Sequence, residues 1–177
     1  SGALGAEING VDISDPLDAE VVTEIRKALL NHLVIFFQNQ LITPQQQLNF
    51  AELFGIPMEY PQLKGLPECP MVTEVIKLEH EKLNFGGVWH SDTTYLQQPP
   101  MASILYAIEI PPYGGDTLFS NQYMAFDTLS EGLKKLLSEL VAANTSSKLE
   151  VSMTRDERMR EAGRELNILS ALHPAVR

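Results

Sequence analysis

A single cysteine, Cys69, stands among 177 residues, so the chain can form neither an intrachain disulfide nor a cysteine-rich zinc or iron–sulfur site. A lone thiol fits a reducing, cytoplasmic setting. Long apolar runs are also missing. Leu33-Val34-Ile35-Phe36-Phe37 is among the longest, far short of the ~20 residues that span a bilayer, so no membrane role is expected. No basic start leads into an apolar stretch and a small-residue cleavage site, so no secretory leader is expected. Positive charge is scarce: 13 bases against 23 acids give a formal net charge of −10. Such a surface repels phosphate backbones and argues against a nucleic-acid partner. No lysine or arginine occurs between Lys82 and Lys134, so that stretch cannot neutralise a dicarboxylate by itself. What remains is ordinary for a folded chain, 44% apolar and 20% charged, with room for one domain or part of a larger one.

No repeat or low-complexity tract divides the sequence. Leu17, Val21, Ile25, Ala28, Leu29 and Leu33 recur at helical spacing after Asp15-Pro16, with Asp18 as a further candidate cap. The β-branched and aromatic run 33–37 reads as a buried strand. Thr43-Pro44-Gln45-Gln46 has the form of a capping box, opening a helix that turns Leu48, Ala51 and Phe54 to the core and stops at Gly55 or Pro57. Four prolines between 56 and 70 predict a loop. Strands are predicted over 71–78, over 101–110 between two proline pairs, and over 116–120 after the Gly114-Gly115 turn. Leu133, Leu136, Leu137, Leu140 and Val141 predict an amphipathic helix capped by Ser130, whose stripe could serve the core or a contact in a homo-oligomer. The charge-rich segment 155–165 reads as a solvated helix, with a polar lid as the functional alternative.

The chemistry gathers at Trp89-His90-Ser91-Asp92, just after Gly86-Gly87. In an extended segment residues i and i+2 share a face, so the His90 imidazole and the Asp92 carboxylate would project together. An imidazole and a carboxylate can hold two adjacent positions on an octahedral metal. Two histidines and one carboxylate form the facial triad of non-haem Fe(II) oxygenases, which leaves three positions for substrates. By itself an H-x-D is a weak signal, and a structural His–Asp hydrogen bond would use the same pair.

The order of segments adds to it. GAEINGVDIS at 5–14, LVIFFQNQLITPQQQLNFAELFG at 33–55, WHSDTTYLQQPP at 89–100, PPYGGDTLFSN at 111–121 and LHPAVR at 172–177 together resemble the TauD/TfdA family of Fe(II)- and 2-oxoglutarate-dependent dioxygenases. The resemblance implies a mainly β fold with flanking helices, a double-stranded β-helix (jelly roll) of the clavaminate synthase-like kind. It also implies Fe(II) as cofactor, 2-oxoglutarate as cosubstrate, dioxygen, and a small organic, anionic substrate hydroxylated with release of succinate and CO2. His90 and Asp92 match the first two metal ligands, and Thr117 of the GGDT segment matches a contact to the 2-oxoglutarate carboxylate. Tyr60 falls near a family position lining the substrate pocket, and Trp89 reads as packing that shields the ligand pair. The intact Asp92 favours hydroxylation over halogenation, since related halogenases lack this carboxylate.

Two departures shape the expectation. Gly86 stands where taurine-acting members carry a substrate-binding asparagine. The family's third ligand, a distal histidine, and the arginine that follows it have no matching position, and His173 lies in a different segment. Residues 1–177 are therefore expected to be one TauD/TfdA-like domain, in fact its N-terminal part. The alternatives of another class are a non-catalytic jelly-roll binding module and a cupin-like metal hydrolase.

Overall fold

The computed structural model describes residues 2–61, 63–80, 85–147 and 168–177. The predicted charged helix at 155–165 lies outside them. The chain divides into two compact units, residues 1–56 with 104–134, and residues 57–103 with 135–177.

In the first unit β1 (Ala6–Ile8) pairs in parallel with β2 (Ile35–Phe37), in the register Ala6 to Ile35. Parallel neighbours need a crossover. Helix α1 (Ala19–His32) supplies it, starting after Asp18 and ending where Leu33, at φ 68°, donates its N–H to the Leu29 carbonyl at 2.7 Å. Helix α2 (Pro44–Glu52) opens on the predicted capping box. The Gln46 N–H donates to Thr43 Oγ1 at 3.2 Å, and the Thr43 N–H donates to Gln46 Oε1 at 2.8 Å. Two orphan helix-end donors are thereby satisfied.

Ile13, Ile25, Ile42 and Phe50 form the buried core, with Val21, Phe37, Phe54, Ile104 and Tyr106 packed on it. Phe50 meets Phe37 and Phe54 edge-on, at centroid distances of 5.5 and 5.1 Å. The Gln40 side chain ties the loops together: its Oε1 accepts from the Ile13 N–H at 2.9 Å, and its Nε2 donates to the Val11 carbonyl at 3.0 Å. The unit also holds the short helix α3 (Gln122–Asp127), capped by Asn121, which the sequence reading did not include.

Helix α4 (Glu131–Ser138) follows, with the Leu133 N–H on Ser130 Oγ at 3.4 Å, as the sequence predicts. It stops earlier than expected, because Val141 belongs to a strand. In the second unit β3 (Val141–Thr145) pairs antiparallel with β4 (Ser170–Pro174), and Ala171 is buried while Ser170 and Leu172 on either side of it are exposed. This hairpin-like pair was also not foreseen.

The strands predicted at 71–78, 101–110 and 116–120 are not part of any ladder among the described residues. Residues 102–107 and 114–120 run without regular structure, and most of their apolar side chains stay exposed. The composition favours extension, but a strand exists only where a second backbone accepts its hydrogen bonds. The described residues thus hold four helices and two two-stranded sheets, and their ladders alone do not make a mainly β chain. No described helix is long and apolar enough to cross a membrane.

Candidate metal-binding pair

Residues 88–91 carry no ladder, and 92–95 form a turn, so the H-x-D lies on irregular backbone and not on the strand face expected from its spacing. The two side chains converge nonetheless. His90 Nε2 lies 3.1 Å from Asp92 Oδ1. Two adjacent ligands of an octahedral ion, each bonded at about 2.1 Å, stand about 3.0 Å apart, so the observed spacing matches one edge of such a site.

The other atoms of the pair are held as well. His90 Nδ1 lies 2.7 Å from the Val88 carbonyl oxygen. A carbonyl can only accept, so Nδ1 carries a proton and donates, and Nε2 is the ring nitrogen that faces Asp92. Lone pairs on Nε2 and on an ionised Oδ1 would repel at this distance unless a cation, a proton or a metal ion, lay between them. Second-contact carbonyls that fix the ring in this way are usual behind metal-binding histidines. Asp92 Oδ2 accepts from the Ser103 hydroxyl at 2.8 Å. Both side chains are about half exposed, so their mutual attraction alone adds little to stability.

The backbone around the pair is constrained at both ends. Gly86 has φ +71°, and a Cβ placed there would come within 3.1 Å of His90 Cε1. A glycine allows both this backbone angle and the close approach of the imidazole. On the other side Thr93 is 7% exposed and adopts φ 50°, which is costly for a β-branched residue. Its carbonyl accepts from the Leu96 N–H at 2.9 Å and closes the turn, while its hydroxyl has no hydrogen-bond partner among the described residues.

The other predicted site residues are placed as follows. Tyr60 is half-buried in the same unit as His90 and packs edge-on against Phe85, with ring centroids 6.4 Å apart. Thr117 is exposed on the irregular stretch 114–120 and belongs to the other unit. Trp89 is 67% exposed and does not pack over the ligand pair as expected, because its backbone is not part of a sheet that could turn it inward. His173, on β4, places Nε2 2.9 Å from the Leu96 carbonyl, so that nitrogen is engaged as a donor and is not free to bind a metal. No group of three or more His, Cys, Asp or Glu gathers among the described residues. The donor set, one imidazole nitrogen and one carboxylate oxygen, fits two positions on Fe(II) or Mn(II). The sequence reading missed Ser103 and the Val88 carbonyl. The first carries no motif of its own, and a backbone acceptor carries no sequence signal.

A profile described as "Taurine catabolism dioxygenase TauD, TfdA family" matches residues 1–172. An alkylsulfatase of Acinetobacter baylyi is 37% identical over 82% of this chain and 45% of its own length. An alpha-ketoglutarate-dependent sulfate ester dioxygenase of Pseudomonas putida is 34% identical over the whole chain and 60% of its own length. Among solved structures, a taurine dioxygenase from Burkholderia xenovorans superposes with a TM-score of 0.75 and 34% identity, over all of this chain and 56% of its own. The chain thus spans about half the length of the relatives it matches. With a family profile over nearly every residue and relatives above 30% identity, this chain belongs to the TauD/TfdA family.

Proposed function

We propose that the chain is the N-terminal part of a jelly-roll dioxygenase that uses Fe(II) and 2-oxoglutarate to hydroxylate a small anionic substrate. The observation that carries the reading is the 3.1 Å convergence of His90 Nε2 on Asp92 Oδ1, with the imidazole proton committed to the Val88 carbonyl. Iron with 2-oxoglutarate and dioxygen would supply the oxidising equivalents for hydroxylation, with release of succinate and CO2.

The chain's own residues would do the positioning. The Val88 carbonyl would hold the His90 ring so that Nε2 faces the ion. Asp92 supplies one negative charge and, with the imidazole, fixes two neighbouring positions, leaving the others open. Thr117 would donate its hydroxyl to the 2-oxoglutarate carboxylate, and Tyr60 would line the substrate pocket. The family resemblance implies a third histidine ligand and an arginine for the distal carboxylate of 2-oxoglutarate, for which this chain has no matching position. The base-free stretch between Lys82 and Lys134 agrees with that reading, since it holds no cation to grip an anion.

The relatives bearing sulfate ester, alkylsulfatase and sulfonate names make an organosulfur anion the first substrate class to try. Gly86 argues against taurine, because it lacks the substrate-binding side chain of the asparagine expected of taurine-acting members. The test is succinate formation by the purified protein with Fe(II), 2-oxoglutarate and air, across sulfate esters, sulfonates and aryloxy acids. Succinate release that disappears in His90→Ala and Asp92→Ala is the expected result. Substrate cleavage without oxygen or 2-oxoglutarate would replace this reading with a metal hydrolase. Absence of both turnover and metal binding would replace it with a binding module.

A further inference from the structure

We propose that Ser103 is a positioning residue that restricts Asp92 to one metal-binding oxygen. The inference rests on the reading of His90 and Asp92 as ligands. A carboxylate can bind a metal through one oxygen or both, and the choice matters at a site that must keep three positions open. The two oxygens of Asp92 are not equivalent. Oδ1 faces His90 Nε2 at 3.1 Å, while Oδ2 accepts the Ser103 hydroxyl at 2.8 Å. For Oδ2 to join the metal it would have to turn from that donor, or share a lone pair with it.

The hydroxyl therefore opposes two-oxygen chelation and leaves Oδ1 as the ligand. It also limits rotation of the carboxylate about its own bond to the chain. The backbone of Asp92 is fixed by a separate device, the buried left-handed Thr93 and its closing hydrogen bond to Leu96. Backbone and side chain are thus held by different partners, and removing one leaves the other in place. Ser103 is itself exposed, so its loss leaves no cavity.

The test uses Mn(II) alone as probe, titrated into the full chain and followed by the electron paramagnetic resonance signal of the free ion. His90→Ala and Asp92→Asn should abolish specific binding. Ser103→Ala should weaken it about tenfold, the usual scale for losing a hydrogen bond behind a ligand. Ser103→Thr, which keeps the hydroxyl, should recover most of the affinity. Infrared difference spectra supply a readout that a general structural role would not move. The separation of the two carboxylate stretches should be wide in the parent, as for one-oxygen binding, and should narrow in Ser103→Ala as both oxygens bind.

An affinity for Mn(II) within twofold of the parent and unchanged carboxylate bands in Ser103→Ala would overturn the proposal, provided His90→Ala and Asp92→Asn still lose the metal. If those two variants bind Mn(II) as the parent does, the ligand reading fails and this inference falls with it. Matching circular dichroism and melting temperatures show that each variant is folded.

Discussion

Residues 6–54 and residues 101–120 are alike in apolar content and unlike in what that content achieves. In the first stretch each element finds its partner nearby: β1 meets β2 across α1, and α2 lays Phe50 against Phe37. In the second, Ile104 and Tyr106 reach the same core, but Leu105, Ile108 and Ile110 stay in solvent and no ladder forms among the described residues. Helices satisfy their backbone internally, whereas a strand borrows its hydrogen bonds from another segment. Local signals therefore suffice for one region and not for the other.

The sharpest way to break that contrast is to remove a β-branched side chain from each region. Ile25 is 3% exposed and Ile108 is 84% exposed. Ile25→Ala should cost about 3 kcal/mol, the lost transfer energy plus a cavity, and Ile108→Ala less than about 0.5 kcal/mol. Urea unfolding of both variants gives the comparison. Equal losses would mean that residues 101–110 are packed in solution as a true strand.

The next effect falls on the His90–Asp92 pair. Gly86→Ala forces a side chain into φ +71° and sets a methyl 3.1 Å from His90 Cε1. A cost of about 1–2 kcal/mol is expected from the left-handed angle. The His90 Hε1 proton resonance should move in the same variant, because the ring must give way. A resonance that stays in place would show that the H-x-D segment does not depend on its glycine turn.

A smaller loss is expected at the best-signalled element of the ordered region. Thr43→Ala removes the hydroxyl that accepts the Gln46 N–H and should cost about 1 kcal/mol, while Thr43→Ser should cost far less. Thermal unfolding of the two variants decides it. Equal losses would mean that the hydroxyl is not what stabilises the start of α2.

The same contrast explains how much of the molecule was legible beforehand. Thr43-Pro44-Gln45-Gln46 announced α2 because a capping box is a contact between residues three apart. The α1 stripe was visible for the same reason. The pairing of Val141–Thr145 with Ser170–Pro174 was not, since a register between distant segments leaves no local pattern, and a run of alanine, asparagine and threonine reads as no element in particular. At the site, the H-x-D spacing pointed to His90 and Asp92, but on a strand that is not there. What brings them together is a glycine turn, a left-handed Thr93 and two hydrogen bonds. One of these goes to a backbone carbonyl and the other to a serine eleven residues away. None of those contacts follows from residue type alone.

The smallest effect lies in the loop after β1, where order is kept without any ladder. The Ser14 hydroxyl, and then the Ser14 N–H at 2.9 Å, hold the Asp12 carboxyl below its ordinary value of 3.8, against a weaker opposing effect of burial. Because the folded value is the lower one, this contribution is complete above the unfolded value and fades as pH falls through the folded value, so it concerns only acid conditions. Ser14→Ala removes the larger cause and keeps the backbone donor. The Asp12 carboxyl should then titrate at higher pH than in the parent while remaining below its ordinary value, as followed by carbon-13 resonances between neutral and acid pH. A midpoint unchanged by the substitution would assign the whole effect to the backbone N–H, and the loop would then owe its order to the turn itself.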